Sequence, residues 1–442
     1  MNDQNNTEEN TIMQYSSKRD SHVNSDQKFD VIILGGGIIG LCSAYYLSRD
    51  GARVAVIDKG EIGHGSSHHN AGYVCPSHFI PLAAPGVFKQ GLKWMLNPTS
   101  PLYIKPRMNI PFLEWTLKFA QACNDSRARG AMPLLRDLLV ESKKLYEELA
   151  KVPGIDMELT KRGLTELFRT EKGKQKCMHE AELAEELGIE AQLLDRDGLQ
   201  HLDPEVLFHA NGGLYFPGDC HLSPAKLVSS LAAYLTTTGV QILSNTNVTN
   251  FGRNGNRLAF LDTSAGRIHA EEFVLASGAW SPIVARTLGL RMLLEAGKGY
   301  SVTLPSPKVN VRLPYILTER RVAVTPFENS IRFAGTMEIA GLTTEINRPR
   351  VEAIMNAVPL YFSNIPRPQS SQGEVWAGLR PVTPDGLPYL GRFAKIPNLI
   401  AATGHAMIGI SMATATGAVA CDLITSNRTK FDLTLTNPDR YS

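Results

Sequence analysis

The chain has 442 residues, of which 43% are hydrophobic and 20% are charged, so it contains enough apolar material for the cores of two or three domains. Lysine and arginine number 45 against 43 aspartate and glutamate residues, and the resulting net charge of +2 argues against a nucleic-acid-binding protein. No apolar stretch reaches the roughly 18–20 residues that a membrane-spanning helix needs.

Residues 1–27 are predicted to form a disordered tail, because they are rich in Asn, Asp, Ser and Gln and contain no apolar segment. They also lack the features of a secretory signal, so we expect a cytoplasmic protein. The six cysteines form neither a CxxC pair nor a Cys/His cluster. This pattern indicates free thiols, and no metal site is predicted.

A βαβ unit is predicted directly after this tail. Residues 29–34 and 53–58 are short runs rich in β-branched side chains, as buried parallel strands tend to be. The segment 38–49 between them is predicted to be a helix. Such a unit is the first half of many dinucleotide-binding domains.

The turn that opens this helix has the pattern GxGxxG, at Gly35, Gly37 and Gly40. These glycines allow a tight turn, a close approach of the backbone to a pyrophosphate, and close helix–strand packing. Asp58 ends the second strand, 18 residues beyond Gly40, where its carboxylate is placed to accept a hydrogen bond from a ribose 2′-hydroxyl. The pattern predicts a dinucleotide site and argues against a 2′-phosphorylated nucleotide.

Helices and strands alternate through the rest of the chain. The further predicted elements are a helix over 134–149, a strand over 164–168, a helix over 180–187, a helix over 224–238, strands over 240–243, 273–276, 300–304, 322–325, 331–335 and 399–402, and a Gly/Ala-rich helix over 408–424.

This order predicts an α/β protein with two domains. The first is a Rossmann-like dinucleotide-binding domain built from the discontinuous segments 28–78, 206–290 and 372–434. The second is an α+β substrate-binding domain with an antiparallel sheet, built from residues 79–205 and 291–371.

Two later glycine turns follow predicted strands, at residues 277–281 and 403–405. Each allows the backbone to approach a further part of a large cofactor. NAD dehydrogenases usually carry no comparable segment near the C-terminus. A second GxGxxG and a redox-active cysteine pair, which disulfide-reductase flavoproteins need, are both absent from the sequence.

Several motifs resemble those of the D-amino-acid oxidase/glycine oxidase superfamily of flavoenzymes. They are SSHHNAG at 66–72, WAGLRP at 376–381 with TPDG at 383–386, and the Gly-His pair at 404–405 with Gly409. Four further motifs are similar to those of bacterial FAD-dependent D-amino-acid dehydrogenases of the small-subunit type: AAPG at 83–86, LKWM at 92–95, KGYS at 298–301 and EIAG at 338–341. The resemblance covers residues 29–426.

The resemblance implies non-covalently bound FAD, with contacts from the βαβ unit, the 66–72 loop, the two later glycine turns and the backbone near Val248. The helix that begins near residue 408 is expected to point its amides at the pyrimidine end of the flavin. The predicted cofactor-binding residues are Gly35, Gly37, Ile38, Ile39, Gly40, Asp58, Lys59, Ser66, Ser67, Asn70, Ala71, Gly72, Val248, Gly278, Trp280, Gly404, His405, Ile408 and Gly409. His68 and His69 depart from the small residues usual in this family, and are expected to be either exposed loop residues or pH-sensitive neighbours of the flavin.

Arg380 is predicted to bind the substrate carboxylate, because a guanidinium offers a fork that holds a carboxylate through two hydrogen bonds. The alternative is a structural ion pair with Asp385. Met407 stands where glycine oxidase has a second arginine, and a substrate-domain tyrosine of that enzyme also has no counterpart here. Tyr300 and Tyr315 are candidates to supply the missing hydroxyl, or else are core aromatic residues.

Together these residues predict FAD-dependent oxidative deamination of D-amino acids to 2-oxo acids and ammonia, with electrons passed to a quinone or another carrier. One alternative is a dehydrogenase or oxidase of a secondary amine such as D-hydroxyproline or sarcosine, and another is a non-catalytic FAD-binding subunit of a complex. Aromatic residues and lysines within residues 81–115 indicate peripheral contact with the inner face of the cytoplasmic membrane, or else an active-site lid or a packed helix.

Overall fold

The computed structural model describes residues 27–88, 91, 100–426 and 428–442. The predicted tail lies outside these residues except for Gln27, which begins the first strand. Within the described residues there are nineteen strands and nine α-helices. None of the helices in this part of the chain is long and apolar enough to cross a bilayer.

The strands, in chain order, are β1 (Gln27–Leu34), β2 (Val54–Ile57), β3 (Tyr73–Val74), β4 (Leu102–Ile104), β5 (Leu164–Phe168), β6 (Gln192–Asp195), β7 (Gly212–Phe216), β8 (Cys220–His221), β9 (Gln241–Leu243), β10 (Val248–Asn254), β11 (Arg257–Thr263), β12 (Gly266–Leu275), β13 (Glu295–Pro305), β14 (Tyr315–Leu317), β15 (Val322–Phe327), β16 (Ser330–Ile339), β17 (Glu374–Val382), β18 (Tyr389–Arg392) and β19 (Leu399–Thr403). The helices are α1 (Ile38–Arg49), α2 (Ile110–Ala122), α3 (Asp125–Leu149), α4 (Glu171–Glu186), α5 (Arg196–Leu202), α6 (Pro224–Thr237), α7 (Ser281–Thr287), α8 (Arg348–Tyr361) and α9 (Gly409–Thr425).

The first sheet has eight strands, and its centre is parallel. β1 lies between β12 and β2, β9 follows β2, and β19 pairs with β12, all in parallel. β10 and β11 form an antiparallel hairpin beside β12, and β18 pairs antiparallel with β19. The centre is buried on both faces, and every residue of β2 is buried, as expected for a parallel sheet covered by helices. The predicted α/β fold class is confirmed.

The second sheet has nine strands in the order β17-β13-β16-β15-β14-β5-β7-β6, with β4 paired to β16. Most neighbours are antiparallel, as predicted, but β14 pairs in parallel with β5 and β16 in parallel with β4. Helix α8 packs its apolar face against this sheet in a core that includes Phe333 and Tyr361. A third, two-stranded sheet joins β3 to β8.

Strand pairing does not follow the predicted domain segments everywhere. β17 falls in the predicted segment 372–434 of the dinucleotide-binding domain, yet it hydrogen-bonds to β13 in the second sheet. β7, which falls in the predicted segment 206–290, pairs with β5 and β6 of the second sheet. The domain boundaries themselves stay a prediction.

Helix α9 lies between α1 and α3, and small side chains allow this close packing. Tyr146 of α3 donates a hydrogen bond to the Ile410 carbonyl at 2.8 Å, which ties α3 to the first turn of α9. A Cβ at Gly417 would lie only 2.6 Å from the carbonyl carbon of Cys42 in α1. The two helices therefore lie too close together for any residue other than glycine at position 417.

This packing predicts the effect of one added methyl group. Gly417→Ala should destabilise the protein by about 1–3 kcal/mol, because the new Cβ overlaps the α1 backbone. Gly130→Ala in α3 is the matched control: no atom lies within 4 Å of its added Cβ. The control should be neutral or stabilising by about 0.5–1 kcal/mol, since alanine favours helix over glycine. Chemical unfolding curves give both values, and equal stability of the two variants would contradict this account of the helix contact.

Candidate functional site

A cavity of about 1130 Å³ lies between the two large sheets. Its lining includes residues at the carboxyl ends of β1, β2, β12 and β19, where open α/β sheets bind their ligands. The opposite wall consists of residues from β13, β16 and β17 of the second sheet. One cavity thus reaches both the GxGxxG turn and Arg380.

The turn between β1 and α1 depends on glycine at two positions. Gly35 has a φ of 120°, and a Cβ there would lie 2.7 Å from the Ala276 carbonyl carbon that follows β12. A Cβ at Gly40 would overlap the carbonyl oxygen of Gly35. The turn is therefore too tight for any side chain at either position, and its backbone faces the cavity at Gly35 and Gly37.

Two side chains hold this turn in place. The Asp58 carboxylate accepts hydrogen bonds from the Gly36 amide at 2.7 Å and the Gly60 amide at 2.9 Å. The Ser67 hydroxyl accepts one from the Ile38 amide at 3.0 Å, at the N-terminus of α1. Asp58 and Ser67 also line the cavity. Neither contact to the turn was predictable, because neither residue is near the turn in sequence.

Most of the predicted cofactor-binding residues lie around this one cavity. Those that line it are Gly35, Gly37, Ile38, Ile39, Asp58, Lys59, Ser66, Ser67, Asn70, Ala71, Val248, Gly278, Trp280, His405, Ile408 and Gly409. Gly40, Gly72 and Gly404 do not line the cavity. They lie behind its wall, where Gly72 and Gly404 have φ values of 80° and 82° and fit backbone turns that a side chain would strain.

Neither histidine of the 66–72 loop is an exposed loop residue, so the first of the two expectations for this pair is wrong. That they are neighbours of the flavin stays a prediction. His69 stacks on Trp376 with ring centroids 4.9 Å apart, and its Nε2 lies 2.9 Å from the Glu374 carboxylate. His68 is half-buried beside it, with the two rings 4.7 Å apart. Burial lowers the pKa of both histidines, although Glu374 partly opposes this at His69. His69 lines the cavity and His68 does not.

The Arg380 guanidinium lies against the backbone of Gly299 and donates a hydrogen bond from Nη1 to the Thr336 carbonyl at 2.7 Å. The predicted alternative, an ion pair with Asp385, is wrong: Asp385 accepts two hydrogen bonds from Arg440, at 2.8 and 3.1 Å. No carboxylate of the described residues pairs with Arg380. Burial lowers its pKa to about 10, so it stays positively charged at neutral pH.

The two candidate tyrosines are placed differently. Tyr315 does not line the cavity, and its hydroxyl donates to the Asp203 carboxylate at 2.8 Å within a core of aromatic rings, so its prediction as a site residue is corrected. Tyr300 contributes to the cavity wall, but its hydroxyl donates to the Glu338 carboxylate at 2.7 Å. Neither hydroxyl is therefore free for a ligand.

Around the start of α9 the wall is mostly apolar. Met407 lines the cavity with 49% of its surface exposed. His405 is buried, and its Nε2 lies 2.9 Å from the Thr416 hydroxyl. Burial lowers the pKa of His405 to about 3, so the ring is neutral at neutral pH. The first turn of α9 lies at the cavity wall, where its backbone amides favour a negatively charged group of a ligand.

A charged rim, made of Glu166, Lys176, Glu180 and Arg321, also lines the cavity. Lys176 lies 3.2 Å from the Glu166 carboxylate and 2.7 Å from that of Glu180. Burial and the neighbouring Glu166 raise the pKa of Glu180 to about 8. These four residues were not predictable from the sequence, because they come from three separate segments that share no motif.

The chain is similar to known proteins over most of its length. The family described as FAD dependent oxidoreductase matches residues 30–423. D-amino acid dehydrogenase of Granulibacter bethesdensis is 31% identical over 412 residues, and that of Agrobacterium fabrum 32% identical over 410; each comparison covers 91% of this chain and 97% of the relative. The structure is similar to that of glycine oxidase from Geobacillus kaustophilus, with a TM-score of 0.75 and 24% identity, over 94% of this chain and 100% of that one.

Proposed function

This chain belongs to the FAD-dependent oxidoreductase family, and on that premise we propose that it oxidises D-amino acids to 2-oxo acids and ammonia. The proposal is supported by relatives above 30% identity that are named D-amino acid dehydrogenase. The observation that carries it is Arg380, a cationic side chain on the cavity wall with no carboxylate partner among the described residues. Such a group suits a ligand that brings its own carboxylate.

The cavity fits the family's cofactor, FAD. At one end, Gly37, Ile38 and Ile39 at the start of α1 line the cavity, and Gly35 and Gly40 leave no room for side chains that would block a pyrophosphate. Asp58, Ser67 and the backbone near Val248 would hold the rest of the nucleotide without a covalent link. FAD bound there would supply the two-electron acceptor that this oxidation needs.

The residues of the second sheet would then hold and orient the substrate. Arg380 keeps one N–H on the Thr336 carbonyl and has further N–H groups with which to grip a carboxylate. Met407 offers an apolar surface that accommodates side chains of varied shape. The N-terminal amides of α9 stabilise negative charge that develops at the adjoining part of the cavity.

We further propose that the enzyme passes its electrons to a quinone or another carrier at a membrane surface. Support comes from exposed apolar residues in α2 and two residues before it: Met108, Ile110, Leu113 and Leu117 are exposed at 93, 81, 50 and 57%. Ile110, Leu113 and Leu117 follow helical spacing and so share one face. Trp115, one of the aromatic residues of the predicted 81–115 segment, is buried and its indole N–H donates to the Val382 carbonyl at 3.0 Å. Residues 89, 90 and 92–99 of the predicted membrane segment lie outside the described residues.

An anaerobic screen tests the proposed reaction. D-amino acids should bleach the absorbance of the bound flavin and release ammonia, whereas L-amino acids should not. Sarcosine and D-hydroxyproline form a second arm. Bleaching by these secondary amines alone, without ammonia, would favour the alternative substrate class, and no bleaching by any amine would leave only a non-catalytic role.

Arg380 has a direct test. Arg380→Met should lower kcat/KM by roughly 30- to several-thousand-fold, because losing a desolvated charge contact costs about 2–5 kcal/mol. The kcat/KM of Arg380→Lys should fall between the values of wild type and Arg380→Met, since an ammonium cannot match the guanidinium fork. Flavin content should be normal in both variants. Near wild-type kcat/KM in a fully flavin-loaded Arg380→Met enzyme would show that another group binds the carboxylate.

The proposed membrane contact can be tested by substituting the two exposed leucines of α2. Leu113→Gln with Leu117→Gln should weaken sedimentation with anionic phosphatidylglycerol vesicles, because each leucine loses about 1.5–3 kcal/mol of apolar transfer. Val140→Gln on α3, a position that is also exposed, is the control and should bind vesicles as wild type does. Equal vesicle binding by all three proteins would remove α2 from the proposed contact.

A further inference from the structure

The strands β13 and β16 are joined through a β-bulge. Their register shifts between Lys298 and Tyr300, so that the single residue Gly299 faces both Thr336 and Met337. Thr336 has a φ of 66°, a left-handed conformation that is uncommon for a β-branched residue. Bulges of this kind re-aim the groups next to them and recur beside active sites.

The bulge provides both contacts that hold the Arg380 guanidinium. β17 runs beside β13, and the guanidinium lies over Gly299 so closely that any Cβ at Gly299 would overlap it. The Thr336 carbonyl, which the bulge turns toward β17, accepts the hydrogen bond from Nη1. The position of the guanidinium therefore depends on the shape of the bulge.

A buried polar cluster lies on the opposite face of the same strands, because Tyr300 follows Gly299 and side chains alternate along a strand. The Tyr300 hydroxyl donates to Glu338 Oε2 at 2.7 Å, with the two residues only 1 and 7% exposed. Arg350 Nε lies 3.2 Å and Lys298 Nζ 3.7 Å from the same carboxylate. Burial and the neighbouring Glu338 raise the pKa of Tyr300, so its hydroxyl stays protonated and remains a donor.

The Tyr300–Glu338 hydrogen bond spans the bulge. Tyr300 is the residue directly after Gly299 on β13, and Glu338 is the residue directly after Met337 on β16. The contact therefore joins the two strands at the point where the bulge disrupts their backbone pairing. The contact also connects two of the motifs found in the sequence, because Tyr300 belongs to KGYS and Glu338 belongs to EIAG.

We propose that Tyr300 and Glu338 are positioning residues, whose hydrogen bond fixes the bulge and thereby holds the Arg380 guanidinium in the orientation that receives the substrate carboxylate. This inference rests on the proposed function, in which Arg380 is the carboxylate anchor. A guanidinium on a long, flexible side chain gives its full binding energy only when its fork is already oriented. Tyr300 and Glu338 touch neither substrate nor cofactor in this scheme.

The test is a double-mutant cycle on the flavin-loaded enzyme with the D-amino acid that bleaches it best. Tyr300→Phe should raise KM by about 3- to 10-fold, the usual range for one lost hydrogen bond, while kcat changes by less than about twofold. In the Arg380→Met background the same substitution should leave kcat/KM unchanged, because the group through which Tyr300 acts is gone. Amide hydrogen exchange of the peptide covering residues 330–339 should be faster in Tyr300→Phe.

Tyr361→Phe is the matched control. Tyr361 is equally buried, belongs to the same core, and donates its hydroxyl to the Glu319 carboxylate, but it does not line the cavity. The Tyr361→Phe substitution should leave KM and the amide hydrogen exchange of residues 330–339 as in wild type, even if it lowers the melting temperature.

The outcomes separate the two proposals. If Arg380→Met alone leaves kcat/KM unchanged, the carboxylate anchor of the proposed function is wrong and this inference falls with it. If Arg380→Met lowers kcat/KM but Tyr300→Phe lowers it further by the same factor in both backgrounds, the anchor stands and the positioning role is overturned. The positioning role is also overturned if Tyr300→Phe leaves KM unchanged, or if Tyr361→Phe raises KM as much as Tyr300→Phe does.

Discussion

The close backbone contact at the GxGxxG turn is the constraint on which the cavity depends. At Gly35 and Gly40 the chain approaches its own neighbours more closely than any Cβ permits, and this fixes α1 against β1 and β12. α1 in turn sets the place of α9 through Gly417, and α9 brings its N-terminus to the cavity wall. Asp58 and Ser67 complete the arrangement by satisfying amides that the turn and the helix start would otherwise leave without partners.

The local parts of this arrangement were predictable from the sequence. The helix over residues 38–49 has the predicted bounds, and the α/β class, the family and its cofactor FAD are confirmed. These features are encoded within short stretches, as glycine spacing, β-branched runs and motifs. By contrast, β17 contains Gly378 and Pro381, residues that argue against a strand; it forms one because it lies at the edge of the sheet, where a proline's missing N–H costs no sheet hydrogen bond.

Contacts between distant segments were not predictable in the same way. Tyr300 and Tyr315 looked equivalent in sequence, yet the first faces a bulge beside Arg380 and the second is enclosed by Phe208 and Phe362. Which carboxylate pairs with which arginine depends on how segments far apart in sequence come together: Asp385, in the turn after β17, binds Arg440 near the end of the sequence rather than Arg380. Most residues predicted from the sequence as cofactor-binding therefore line the cavity, but the partners that orient them were not predictable.

The charged rim has a consequence for how a ligand reaches the cavity. Lys176 and Arg321 carry positive charge near the Glu166 carboxylate, which supplies the negative charge of the rim because Glu180, with its pKa of about 8, is mostly protonated at neutral pH. The rim thus presents both signs within one small area. A free amino acid is a zwitterion with no net charge, and a field of one sign would orient it without drawing it in. A rim that carries both signs attracts such a molecule only at short range, where its positive charges contact the amino acid's carboxylate and its negative charge contacts the ammonium. Capture of a zwitterion should therefore be nearly independent of ionic strength, because screening acts mainly on charges farther apart than the Debye length of about 8 Å.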